Sequence, residues 1–178
     1  MDLPGLKLVR RKLIEDARGF LVRVFCANAF STIGFAPAIS QINHTLTKRR
    51  GTLRGLHFQR PPHAEVKLVS CLKGSIFDVA VDLREGSPTF LRWQGVVLSE
   101  ANQTGLLIPA GFAHGFQALE ADCELLYLHS APHHPEAEGG LHPLDPALAI
   151  AWPLEIADLS DLDRTHTMLV PEFKGLAL

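Results

Sequence analysis

Cysteine is scarce: 3 residues, Cys26, Cys71 and Cys123, in a chain of 178. The number is odd, the spacing is wide and no CxxC pair occurs. That argues against a disulfide framework or a zinc knuckle and predicts reduced thiols in a core. An excess of one charge is also missing. Lys plus Arg is 17, Asp plus Glu is 19 and the formal net charge is -2, so the broad positive surface of a nucleic-acid binder is not expected. No apolar run approaches the ~20 residues of a membrane-spanning helix. The N-terminal stretch MDLPGLKLVRRKLIEDARG has no apolar h-region. The expectation is a cytoplasmic protein with neither nucleic acid nor membrane as partner. Tyrosine is reduced to 1 residue, Tyr127, against 9 histidines.

What is present is apolar and heavily punctuated. Apolar residues are 47% and charged residues 20%, which excludes disorder, and the length suits one domain over 1–178 with a core of its own. Gly (14) and Pro (12) are frequent enough to separate many short strands. Residues 6–14 and 20–26 read as strands around a turn at 16–19, residues 27–34 as a short helix ending at Gly34, and residues 38–46 as extended. From 66 to 130, short β-rich runs recur at nearly even intervals. Phe77, Val79, Val81 and Leu83 alternate with Asp78, Ala80 and Asp82. This rhythm indicates an all-β sandwich, jelly roll or barrel. Prolines at 143, 146, 153 and 171 end it. Residues 136–178 are expected to wrap the β core, with a helical turn in IADLSDLDR.

Two segments concentrate chemistry. RRGTLRGLHFQRPPHAEVKL holds Arg54, His57, Gln59, His63, Glu65 and Lys67. If 53–59 is a strand, Leu53, Gly55, His57 and Gln59 share one face and Arg54, Leu56 and Phe58 the other. Such a density of polar side chains in an apolar chain points some of them inward. The second segment contains Pro109-x-Gly111-x-x-His114, which matches a cupin sequence motif. The resemblance implies a jelly roll holding a small ligand. A cupin metal site needs a His-x-His pair with a nearby carboxylate. Here the pair is His57-x-Gln59 and Glu65 follows two prolines, so a catalytic metal is not expected. His129, His133 and His134 read as a surface turn. A metal-free pocket of His, Lys, Arg and Tyr suits proton abstraction beside a carbonyl on a phosphorylated substrate.

At these residues the chain resembles the dTDP-4-dehydrorhamnose 3,5-epimerase family. Asp16-x-Arg18-Gly19-Phe20, Gln41-x-Asn43, Gly51-Thr52-Leu53-Arg54-Gly55-Leu56-His57-Phe58-Gln59, Lys67-Leu68-Val69, Asp78-Val79-x-Val81-Asp82-Leu83-Arg84, Ser87-Pro88-Thr89 and Ile108-Pro109-x-Gly111-Phe112-Ala113-His114-Gly115-Phe116 carry the resemblance in order. Asp145-Pro146 and Trp152-Pro153 extend it. The resemblance implies a cupin-type jelly roll (a double-stranded β-helix) with short helical segments near the N-terminus and in the C-terminal tail. It implies a cofactor-free isomerase acting on a nucleotide-linked 4-keto-6-deoxy sugar, in a homodimer, in dTDP-rhamnose or related deoxysugar biosynthesis.

In that reading His57 is the base, Asp163 its supporting carboxylate, Tyr127 the acid on the opposite face, and Lys67 lies near the keto oxygen. His114 shares the pocket, Arg54 holds the diphosphate, and Arg18 reaches it across the dimer. Gln41, Asn43 and Gln59 line the substrate site. Three positions depart from the family pattern: Leu128 replaces a Lys, His133 a Tyr and Arg23 a Glu. The alternatives are a 3- or 5-monoepimerase, another nucleotide, a metal-dependent cupin, and a non-catalytic sugar-nucleotide binder.

Overall fold

The computed structural model describes residues 1–35 and 38–178. Its strands are β1 (Lys7–Arg10), β2 (Leu13–Asp16), β3 (Gly19–Val22), β4 (Gln41–Thr47), β5 (Thr52–Gln59), β6 (Lys67–Lys73), β7 (Ser75–Asp82), β8 (Trp93–Ser99), β9 (Thr104–Ile108), β10 (Phe112–Ala118), β11 (Cys123–His129), β12 (Glu138–Gly140) and β13 (Asp158–Leu159). Two short helices, α1 (Ala27–Ser31) and α2 (Asp161–Thr165), lie near the N-terminus and in the C-terminal tail. One sheet runs β1-β9-β6-β11-β4 and the other β12-β5-β10-β7-β8, with β13 parallel to β5. This is a two-sheet jelly roll, one of the architectures that the strand spacing allows and the one that the family resemblance implies.

Residues 6–14 do not form one strand. The chain leaves the first sheet after Arg10, and the Arg11 guanidinium bonds the Val24 carbonyl and Ser70 Oγ at the crossing. It then makes a separate β2–β3 hairpin.

Each sheet has apolar cover between the sheets and over part of its outer face. Between the sheets lie Val69, Cys71, Ile76, Ala80, Leu98, Leu106, Phe112, Phe116 and Leu125. Phe25, Phe30 and Phe35 cover Leu68, Leu107 and Leu128 on the outside of the first sheet. The tail covers the second: Leu141, Leu148, Trp152, Phe173 and Leu176 pack on Leu56, Phe58, Val79, Val81 and Leu83. The apolar face of β7 is thus turned outward to the tail. Its Asp78 and Ala80 face the interior of the roll, which makes room there for polar groups.

The strict alternation expected for 53–59 fails at Gly55. His57 pairs His114 and Arg54 pairs Phe116, so Gly55 and Leu56 together oppose Gly115. This bulge moves Arg54 onto the face of His57, while Leu56 and Phe58 keep the outer face. Gly55 has φ +115, and a Cβ there would lie 2.6 Å from Gly115 Cα and 2.7 Å from the His114 carbonyl oxygen. We expect Gly55→Ala to cost about 3–4 kcal/mol in urea unfolding, because both the positive φ and the overlap must be relieved.

Candidate active site

Strand register brings the site together. On the first sheet Tyr127 pairs Asn43 and Val69, while His129 pairs Gln41 and Lys67. Residues paired directly across antiparallel strands share a face, so Gln41, Asn43, Lys67, Tyr127 and His129 point the same way. On the second sheet His114 lies between His57 and Ala80, and Phe116 between Arg54 and Asp78. The two faces enclose a cavity of about 210 Å³ lined by Asn43, Thr45, Arg54, His57, Lys67, His114, Phe116, Tyr127 and His129. Asn43, His57, Lys67 and His129 also line a neighbouring compartment of about 310 Å³, with Gln41, Gln59, Glu65 and His133 on its other side.

His57 Nε2 bonds Asp163 Oδ1 at 2.6 Å. The Gly55 N–H donates to Asp163 Oδ2 at 3.3 Å. Ser160 caps α2 by accepting from the Asp163 N–H, which fixes the carboxylate's backbone behind β5. Burial by itself would raise the Asp163 carboxyl. The His57 hydrogen bond and charge, the Gly55 N–H and Ser160 outweigh it and hold the group below its usual range. An ionised Asp163 takes the Nε2–H of His57, leaving the Nδ1 lone pair as the ring's free base.

His166 completes this corner. Its ring meets His57 edge-on at 5.5 Å, and its Nε2 is 3.6 Å from Asp163 Oδ1. Burial and the neighbouring His57 lower its pKa, against the pull of Asp163.

A second pair lies deeper. His114 Nε2 bonds the fully buried Asp78 Oδ1 at 2.6 Å, and the Tyr127 ring stands edge-on to His114 at 6.0 Å. Burial, followed by the charge of Asp78, pushes the Tyr127 phenol far above its ordinary pKa, although Arg54 pulls the other way. Tyr127 therefore carries its proton throughout the physiological range and can act only as an acid.

Glu65 links two further polar groups of the site. It bonds Lys67 Nζ at 3.1 Å and His129 Nδ1 at 2.8 Å, with all three side chains largely buried. Burial raises its carboxyl, but the His129 and Lys67 contacts prevail and lower it from 4.5. We expect Glu65→Gln to destabilise the fold by about 3 kcal/mol at pH 7, because the buried Lys67 ammonium loses its counter-charge and His129 its carboxylate partner. A depressed folded-state pKa means that Glu65 stabilises above its unfolded value and loses that effect as pH falls through the lower folded value. The gap between wild type and Glu65→Gln in urea titrations should therefore close as pH drops below about 4.5.

Other predicted residues have different settings. Gln59 is buried and fully engaged. It donates to the His63 and Pro132 carbonyls and accepts from the His134 N–H, so it ties two rim loops together. Gln41 donates to Asn43 Oδ1 and accepts from the His133 N–H. Arg54 is exposed at the cavity, with Nη2 on the Leu46 carbonyl. Arg18 lies outside the cavity, on the β2–β3 hairpin, exposed and paired with Asp16. Of the three departures, Leu128 belongs to the outer core, Arg23 to the hairpin, and only His133 lines a compartment of the site.

Sequence reading placed His129 in a surface turn. The structure corrects this: it ends β11, buried, two residues from Tyr127 and on the same face. Its period-two spacing from Tyr127 was the available signal. Asp78 and His166 were also missed. Asp78 had a signal, a carboxylate within an apolar strand, whereas His166 had none.

The family model described as dTDP-4-dehydrorhamnose 3,5-epimerase matches residues 1–170. A dTDP-4-dehydrorhamnose 3,5-epimerase of Sinorhizobium fredii is 43% identical over 170 residues, 95% of this chain and 87% of that protein. The fold is similar to the crystal structure of dTDP-6-deoxy-D-glucose-3,5-epimerase from Legionella pneumophila in complex with dTDP-4-keto-L-rhamnose. The TM-score is 0.93 at 40% identity, covering 100% of this chain and 96% of that one. A 3'-monoepimerase from Streptomyces bikiniensis, in complex with dTDP-quinovose, aligns with a TM-score of 0.88 at 34% identity, over 94% of this chain and 85% of that one.

Proposed function

This chain belongs to the dTDP-4-dehydrorhamnose 3,5-epimerase family, and on that premise we propose that it inverts C3 and C5 of dTDP-4-dehydro-6-deoxy-D-glucose by acid–base chemistry alone. One observation above all supports the assignment of roles. The His57–Asp163 pair stands on one sheet and the protonated Tyr127 on the other, with the cavity between them. The C4 ketone acidifies the protons at C3 and C5. His57 Nδ1 takes one of them, and Asp163 stabilises the imidazolium that results. Lys67 and His129 supply positive charge or a donor for the enolate oxygen. Tyr127 returns a proton from the opposite sheet, hence to the opposite face of the sugar ring, and that is inversion. Mere binding needs no such opposed pair.

Incubation with the substrate in deuterated water tests the reading. Two deuterons per product, at C3 and C5, are expected. One would reduce it to a monoepimerase, and none with any nucleotide-linked 4-keto sugar would sink it. Asn43, Gln41 and Arg54 are assigned to the sugar nucleotide because they border the two compartments. Cytoplasmic location fits the free thiols, of which Cys71 and Cys123 are buried. Recovery of the protein in a secreted fraction would overturn that.

The homodimer is supported by the hairpin. Ile14, Phe20 and Leu21 are exposed there, more apolar surface than an isolated hairpin tolerates, and Arg18 projects beside them. If Arg18 serves the partner's diphosphate site, Arg18→Ala and His57→Ala chains should each be weak alone. Mixed after dissociation, they should regain activity, because one site of the hybrid then has both residues intact. No recovery from a demonstrated hybrid dimer would remove Arg18 from the site.

A further inference from the structure

Behind the base, His166 Nε2 is buried and has no hydrogen-bond partner among the described residues. It faces Asp163 Oδ1 at 3.6 Å, the same oxygen that holds His57 Nε2 at 2.6 Å. One donor atom from each of His57, Asp163 and His166 lies within 4.8 Å of the other two. Two imidazole nitrogens and one carboxylate oxygen are the donor set of zinc sites that keep an open position. Metal–ligand bonds of about 2.0–2.1 Å in tetrahedral geometry set donors about 3.3 Å apart. The 2.6 Å and 3.6 Å separations therefore change by less than about 1 Å, and the His57–His166 separation, within 4.8 Å, closes by at most about 1.5 Å.

The surroundings also suit an ion. Asp163 Oδ2 is oriented by the Gly55 N–H, as a ligating carboxylate should be. Gly140 lies opposite His57 in the sheet, and any Cβ there would overlap the His166 ring, so the absence of a side chain is what admits this second imidazole. Entry is open through His57, whose side chain is 36% exposed to the cavity.

We infer that His57, Asp163 and His166 form a latent site for a zinc-class divalent cation whose occupancy switches the epimerase off. The inference rests on the functional reading above. Its chemistry is a tautomer exchange. Ligation uses the Nε2 lone pair of His57, so the ring gives up its Nε2 proton to solvent and takes one at Nδ1, with no net change in protons. Nδ1 then carries hydrogen and has no lone pair with which to accept the proton from C3 or C5.

The test uses the full chain freed of metal by chelation. Titration with ZnCl2 should abolish deuterium uptake with 1:1 stoichiometry at micromolar zinc, and EDTA should restore it. CoCl2 should give the visible absorption of a four-coordinate site, a readout that needs no substrate. In His166→Asn, and in His166→Gln as a second variant should the first fold poorly, the cobalt bands should vanish. The zinc midpoint, measured against each variant's own zinc-free rate, should rise about tenfold or more. His63, His134 and Glu136 also bring donor atoms within 4.8 Å of one another at the surface, so His134→Ala is the control and should leave the inhibition intact. Wild-type exchange unmoved by a hundredfold excess of zinc would overturn the inference. So would inhibition that survives in both His166 variants or that disappears with His134. A metal-free chain that exchanges nothing would instead defeat the functional reading, while the cobalt spectrum still reports on the site.

Discussion

His57→Ala is expected to abolish deuterium incorporation at both C3 and C5, a loss of at least about 10³–10⁴-fold. Its imidazole is the proposed base: three histidines of the cavity are each paired with a carboxylate, and the His57 side chain is the most exposed of them, 36% against 6% for His114 and 11% for His129. Removing it leaves Asp163 with the Gly55 N–H and without its short hydrogen bond to the ring. A melting curve must therefore accompany the rate. Binding of dTDP should persist, because the groups assigned to the nucleotide are elsewhere. Exchange within tenfold of wild type in a folded His57→Ala protein would take the base away from His57.

Tyr127→Phe should separate two steps that His57→Ala removes together. The substitution keeps the ring against His114 and His129 and deletes the proton that burial and Asp78 hold on the phenol. Proton removal by His57 continues, and deuterium can re-enter from the original face. Net inversion should fall by about 10²–10⁴-fold, and exchange by much less. The two are read from one NMR time course, as isotope in recovered substrate against isotope in inverted product. Equal loss of both would mean that Tyr127 shapes the cavity and does not return the proton.

Much of this was legible in the chain. Evenly spaced short strands imply a two-sheet β fold, because a strand pattern of period two must bury one face against another layer. The motifs around His57 and His114 pointed to the family, and the distant LSDLDR segment supplied Asp163. Where reading along the chain went wrong, the cause was local geometry. Strict alternation separated Arg54 from His57, and the bulge at Gly55 puts them on one face. Alternation along β7 separated apolar from polar residues without saying which set faces inward. The tail decides it by giving the apolar set an outer cover, so Asp78 turns toward the cavity.

The sequence by itself determined the class of fold and the family, and through the family resemblance it named the candidate proton-transfer groups. The fold class is written in composition and periodicity, the family in short motifs. The tertiary structure alone decided which side chains meet. Glu65 bridges Lys67 and His129 across paired strands, 64 residues separate Glu65 from His129, and 106 separate His57 from Asp163. Such contacts are products of strand register and of a tail laid over a sheet. Register is set by the burial of whole faces, so no local stretch of sequence encodes it. For the same reason His166, silent in the sequence, comes to stand edge-on to the His57 ring beside Asp163.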